Sequence, residues 1–157
     1  MSKKIISPNF VLKNLKFIYI ANSIGTFFLI LVSVVISILN FNESLYLPTW
    51  KFVIIALFAL ISIFLAQSFY KSTIKNITNK DSLAIKIQKY QSANVLRLTI
   101  LDSTLFIHLL FLVFTKEKLI MLLTLFIFIA ILSQKPDKVD FFKEIKLPDE
   151  EKDLLNN

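Results

Sequence analysis

The chain has 157 residues, 55% apolar and 18% charged, with a formal net charge of +7 and a mean hydropathy of +0.68. A soluble domain carries about 25% charged residues, so this balance points to lipid as a main solvent. Cysteine is absent and Gly25 is the single glycine, which excludes disulfides, thiol nucleophiles, thiolate metal sites and the glycine-rich loops that cradle phosphates or dinucleotides. The basic residues flank apolar blocks instead of forming one stripe, so they predict membrane topology and no nucleic-acid partner.

Crossing a hydrocarbon core of about 30 Å takes about 20 mostly apolar helical residues. The sequence predicts an all-α integral membrane protein with four such spans in a transmembrane domain over residues 1–134. The first, 17–39, carries no charge from Phe17 to Leu39 and ends in Asn40, Asn42 and Glu43. Its apolar run exceeds the roughly 7 to 15 residues of a signal peptide and no A-x-A-like site follows, so a cleaved leader is rejected. The second, 50–70, has an apolar heart from Phe52 to Ala66, with Trp50 and Tyr70 where interfacial aromatics belong. The third, 93–114, contains Arg97, Asp102 and His108. A central Asp opposes insertion by about 2.5 to 3.5 kcal/mol, whereas each Leu, Ile, Phe or Val favours it by about 0.3 to 0.6 kcal/mol, and the apolar residues between Val95 and Phe114 prevail. The fourth, 117–134, is built on the short block Leu119 to Leu132. Lys116 and Lys118 can snorkel at one end, and Ser133 and Gln134 extend the other.

Positive residues sort by side. Lys3, Lys4, Lys13 and Lys16 precede the first span, Lys71, Lys75, Lys80, Lys86, Lys89 and Arg97 lie around the connection between the second and third, and Lys135, Lys138, Lys143, Lys146 and Lys152 follow the fourth. The opposite loops hold only Lys51, Lys116 and Lys118, so the positive-inside rule predicts both termini in the cytoplasm.

Residues 71–92 show helical periodicity. Tyr70, Ile74 and Ile77 continue one face beyond the second span, and Leu83, Ile87 and Tyr90 form a matching face leading into the third. The expectation is a cytoplasmic hairpin capped by Asp81 or Ser82. The rival is an amphipathic helix on the lipid surface with Lys86 and Lys89 towards anionic headgroups. The tail, 135–157, is expected to start a short amphipathic helix at Pro136 and Asp137 with the stripe Val139, Phe142 and Ile145. Pro148 then interrupts it before Leu154 and Leu155.

The run Lys80-Asp81-Ser82-Leu83, then Lys86 and Lys89-Tyr90, an acidic residue early in the third span, and Lys135-Pro136 followed by Ile145-Lys146-Leu147 before Glu150-Glu151 resembles a family of small four-helix bacterial integral membrane proteins with no known activity. In that family the acidic position tends to be Glu followed by Gly-Pro, whereas Asp102 here precedes Ser103-Thr104. The resemblance implies the same topology and a bacterial cytoplasmic membrane, and no chemistry.

Asp102 is the most informative residue, because a carboxylate within a span must be neutral, hydrogen-bonded, ion-bound or wet. Counting from the cytoplasmic ends of the parallel first and third spans sets Gly25 at its depth, where glycine would let backbones approach. A polar core of Asn22, Ser23, Thr26, Thr99, Asp102 and Ser103 is expected. It reads either as a proton or cation relay or as interhelical glue. Arg97 and His108, close to three turns apart, share a face with Thr104, while Asp102 points about 140° away from Arg97. That excludes an Arg97–Asp102 pair and leaves Arg97 to snorkel towards phosphate. His108 has no second histidine and only Met121 as a spare sulfur ligand within the spans, so no metal or haem cofactor is expected. Polar residues on every side put the third span inside the assembly. Ala21, Gly25, Ser33 and Ser37, and Ala56, Ala59, Ser62 and Ala66, form small-residue ridges that read as helix contacts.

These features fit a non-enzymatic scaffold or accessory subunit in the lipid bilayer, meeting a protein partner through the hairpin or tail, or a homo-oligomer. The alternative is a small transporter or channel that uses Asp102, although the Gly/Pro-broken helices usual in such sites are missing. An intramembrane lipid enzyme ranks below both, since Asp102 and His108 lie on different faces.

Overall fold

The computed structural model describes residues 8–39, 47–78, 80–136, 141 and 144. The described residues carry no strand, and four helices are bounded among them: α1 (Pro8–Leu39), α2 (Thr49–Lys75), α3 (Leu83–Thr115) and α4 (Lys118–Leu132). The first three, at 32, 27 and 33 residues, are long and apolar enough to cross a membrane. At 15 residues, α4 is an apolar helix of about 22 Å, shorter than the hydrocarbon core. The surface is apolar too: Ile38 is 73% exposed, Phe17 72% and Phe64 70%, an arrangement that suits lipid and not water.

α3 is the central element. It packs against α1, α2 and α4, and 44% of its apolar stretch is buried against 22% in α2 and 11% in α1. Its inward face repeats at helical spacing through Tyr90, Arg97, Leu101, Thr104, Leu105, His108 and Leu112. α4 answers with Ile120, Thr124, Ile127 and Ile131, all buried, while Leu119, Leu122 and Ile129 point outward. Three apolar layers stack along the axis. Leu112 meets Ile55 and Ile120 at one end, Leu101, Leu105 and Leu109 meet Ala59, Ala66 and Ile127 in the middle, and Tyr90 meets Leu12, Leu15, Tyr70 and Phe141 at the other.

The third layer lies where the polar segments begin. Tyr70, Ile74 and Ile77 meet Leu83, Ile87 and Tyr90 there in one cluster, so α2 and α3 run on past their apolar blocks as an antiparallel pair joined by a short turn. α1 begins well before Phe17 for the same reason: Leu12 and Leu15 are its contribution to this cluster. Lys86 is buried there, at 1% exposure, and is not turned towards headgroups.

Several local expectations are corrected. Ser82 takes the N-cap position of α3, but neither it nor Asp81 caps that helix through its side chain. The Asp81 carboxylate turns back instead, accepting from the Thr78 amide at 2.8 Å and the Lys89 ammonium at 2.8 Å, while Lys89 also donates to the Asn76 carbonyl at 3.0 Å. One lysine thereby ties the end of α2 to the start of α3. The α2 ridge behaves as a packing ridge, with Ala59, Ser62 and Ala66 buried, but on α1 Ala21 and Gly25 are exposed. The inner face of α1 is Leu12, Leu15, Tyr19, Thr26 and Ile30, because these larger side chains reach α3 at i+3 and i+4 spacing. The tail stripe of Val139, Phe142 and Ile145, with Pro148, Leu154 and Leu155, lies outside the described residues.

The link from α3 to α4 is Lys116 and Glu117 alone. Lys116 adopts φ 56°, and its amide donates to the Leu112 carbonyl at 2.9 Å, closing α3 in the left-handed conformation that glycine usually supplies. The other end of α4 is held by side chains of two neighbouring helices. The Tyr19 hydroxyl donates to the Leu132 carbonyl at 2.6 Å, and Arg97 Nη2 lies 3.5 Å from the Gln134 carbonyl. These are helix-end carbonyls without partners of their own, and a cation there complements the helix dipole.

Candidate functional site

An open groove of about 820 Å3 with a few polar groups among apolar walls lies between α1 and α3. Ala21, Asn22, Gly25 and Thr26 line one wall, and Asp102, Ser103 and Phe106 line the other. Helical spacing explains the arrangement. Asn22 and Thr26 are one turn apart on α1, and Asp102 lies off the inner stripe of α3, so all three meet along the α1–α3 seam. α2 and α4 contribute no wall residue, which places the groove on the outer side of the α1–α3 pair.

Its defining contact is a hydrogen bond from Asn22 Nδ2 to Asp102 Oδ1 at 3.0 Å. Asp102 is half-buried and Ser103 exposed, so the groove presents a carboxyl and a hydroxyl to whatever lies against it. Thr26 is 6% exposed and forms the floor.

The structure brings Asn22, Thr26, Asp102 and Ser103 together but leaves out two of the expected residues. Thr99 turns its hydroxyl to the Val95 carbonyl at 2.9 Å and lines no wall. Ser23 keeps a buried Oγ with no hydrogen-bond partner among the described residues and lies outside the groove. Gly25 does line it, yet an added Cβ would meet nothing within 4 Å, so this glycine brings no backbones together. The reason is geometric: α1 turns its bulkier face to α3, and the glycine is left at the rim.

Arg97 and His108 stand apart, on the inner face of α3. The Arg97 guanidinium does not snorkel. It is buried, with its central carbon 3.9 Å from the centroid of the Tyr70 ring and Nη2 donating to Asn94 Oδ1 at 2.9 Å. Snorkelling loses because Tyr70 and Asn94 offer an aromatic face and a side-chain acceptor within reach of the same face of α3. Asn94 is itself fixed by donating to the Tyr90 carbonyl at 3.0 Å. His108 is fully buried. Its Nδ1 donates to the Thr104 carbonyl at 2.8 Å, its ring stacks on Phe58 at 6.3 Å, and Nε2 meets no hydrogen-bond partner among the described residues. Those residues contain no group of three or more His, Cys, Asp or Glu that could hold a metal ion.

Sequence reasoning did not anticipate Phe141 and Glu144. Phe141 is fully buried, edge-on to Tyr90 at 5.0 Å, and Glu144 accepts a hydrogen bond from the Tyr70 hydroxyl. The available signal was their i, i+3 spacing, which sets an aromatic and an acid on one helical face. Compared with known proteins, the chain matches no family model, no curated protein and no solved structure.

Proposed function

We propose that this chain is a non-enzymatic scaffold or accessory subunit of a bacterial cytoplasmic membrane, and that it docks a partner's transmembrane helix in the Asp102 groove. The observation that carries the reading is the hydrogen-bonded Asn22–Asp102 pair in a groove open to the outside of the helix pair, among residues apolar enough to sit in lipid. A carboxyl at that depth is costly against hydrocarbon and favourable against a helix that brings a donor. The small and polar walls, Ala21, Asn22, Gly25 and Ser103, let such a helix come close.

In this reading α4 is the fourth span. Its inner stripe is fixed on α3, its ends carry Lys118 and Gln134, and a locally thinned bilayer accommodates its length. Both termini then lie in the cytoplasm with the basic residues of the α2–α3 turn, where the hairpin and the tail offer a second protein contact. A second copy of the chain in the groove would make a homo-oligomer instead.

The test is photo-crosslinking from position 103 in native membranes. A discrete adduct with another membrane protein, lost in the Asp102→Leu variant, supports docking, whereas an adduct with the chain itself converts the reading to a homo-oligomer. Proton or cation flux in proteoliposomes that vanishes in Asp102→Asn, without any adduct, would replace it with the transporter reading.

A further inference from the structure

A second polar centre lies at the end of the bundle where α2 finishes and α3 begins, apart from the Asp102 groove. Arg97 is only 8% exposed, yet its charge meets neutral groups: the Tyr70 ring, Asn94 Oδ1 and the Gln134 carbonyl. Among the described residues its Nε is buried and makes no hydrogen bond, and Glu144, which accepts from the Tyr70 hydroxyl, is the carboxylate whose charge acts on the guanidinium. A buried donor left unpaired carries a desolvation cost. The Nε edge of a guanidinium is also half of the fork that grips phosphate in two parallel bonds.

Tyr70 carries Arg97 on its face and aims its hydroxyl at Glu144, an exposed acid of this same chain. Tyr90 packs edge-on to Tyr70 at 6.5 Å and to Phe141 at 5.0 Å, which holds the Tyr70 ring in place. Lys71 and Lys75, exposed on the last turns of α2, raise the positive potential at the approach.

We propose that Arg97, oriented by Asn94, and the Tyr70 hydroxyl form a binding site for a phosphate group, and that Glu144 is its competitor from within the chain. A phosphate at this point takes the Tyr70 hydroxyl from Glu144 and the Nε–H of Arg97. Arg97 lies at the polar end of the apolar stretch of α3, so the phosphate belongs either to a lipid headgroup or to a soluble ion, and the chemistry of capture is the same. The site shares no residue with the groove and does not depend on what docks there.

The experiment uses the full chain in two arms. In the first, the protein in phosphatidylcholine nanodiscs with added phosphatidic acid is examined by native mass spectrometry for retained lipid. In the second, the protein in neutral detergent is titrated with inorganic phosphate by calorimetry. Glu144→Gln is expected to tighten binding roughly three- to tenfold, because a neutral amide oxygen competes more weakly for the Tyr70 hydroxyl and no longer repels the anion, and Tyr70→Phe to weaken it by a similar factor while keeping the ring under Arg97. Arg97→Gln is expected to abolish it. A response to phosphatidic acid alone assigns a headgroup, and a response to inorganic phosphate assigns a soluble ion. Equal binding by wild type, Glu144→Gln and Tyr70→Phe in both arms overturns the proposal, even where Arg97→Gln fails to fold, and leaves Arg97 as the anchor of the α4 C-terminus.

Discussion

The guanidinium of Arg97 on α3 lies 3.9 Å from the ring centroid of Tyr70 on α2, and the hydroxyl of that same ring donates to Glu144 beyond α4. One tyrosine therefore holds a cation on its face and an acid at its rim. This contact joins the two helices that carry the polar connection and extends it to the chain after α4. A buried arginine becomes tolerable there because an aromatic face, an amide oxygen and a helix-end carbonyl share its charge.

Replacing Tyr70 with Leu removes the face that carries the cation and is expected to destabilise the protein by about 2 kcal/mol beyond lost packing, the range of a desolvated cation–π contact. Tyr70→Phe keeps the face, loses one hydrogen bond and is expected to cost about 1 kcal/mol. Equilibrium unfolding in mixed micelles measures both. A double-mutant cycle with Arg97→Lys isolates the coupling, and a coupling near zero would remove the contact from the account of stability.

The single glycine and the single left-handed residue among those described are in different places, and that mismatch is testable. Gly25 sits inside α1 with open space where a Cβ would go, so Gly25→Ala is expected to stabilise by about 0.8 to 1 kcal/mol through helix propensity. Lys116 takes φ 56° between α3 and α4, where a side chain is strained, so Lys116→Gly is expected to stabilise by about 1 kcal/mol. Thermal unfolding of both variants checks this. A lower melting temperature for Lys116→Gly would mean that the lysine side chain contributes more than its backbone strain removes.

The turn between α2 and α3 supplies a pH dependence. The Lys89 ammonium first, and the Thr78 amide second, hold the Asp81 carboxyl below the ordinary aspartate value of about 3.9. A folded-state value below the unfolded one means that the contribution is present above the unfolded value and is lost as pH falls through the folded one. Hydrogen exchange at the Thr78 amide is expected to be protected at neutral pH and to lose that protection below about pH 4. In Asp81→Asn the protection should no longer vary with pH over this range, and an unchanged profile would place the clamp elsewhere.

The helices and the small-residue packing face of α2 were legible because long apolar runs and helical spacing mark them, whereas on α1 the small-residue ridge was misread as the inner face. The same periodicity brought Ile74, Ile77, Leu83, Ile87 and Tyr90 together. Asn22 and Asp102 were legible by depth counting, since parallel helices rise equally per residue. Rotation about the helix axis was harder to read. Ser23, next to Asn22, and Thr99, one turn before Asp102, share that depth and miss the groove. Arg97 was misread because snorkelling is the common outcome for a lone arginine near an interface, and only the fold could reveal that Tyr70 and Gln134 converge upon it. Phe141 and Glu144 were hidden by a stripe of larger apparent amphipathicity one residue away.

Asp102 separates a residue kept for stability from one kept for contact. Its bond from Asn22 is worth about 0.6 kcal/mol, and at most about 1.7, by the measured range for hydrogen bonds between membrane helices. Exchanging a central Asp for Leu improves insertion by about 3 kcal/mol. Asp102→Leu is therefore expected to be more stable than the natural chain by roughly 1 to 2 kcal/mol while losing the adduct formed from position 103. Asp102→Asn keeps an oxygen for Asn22 and is expected to match the wild type in thermal unfolding. Measuring melting temperature and adduct yield together decides the matter. If Asp102→Leu instead melts well below the wild type, the carboxyl is holding α1 to α3, and the groove is a by-product of that pairing and not a docking site.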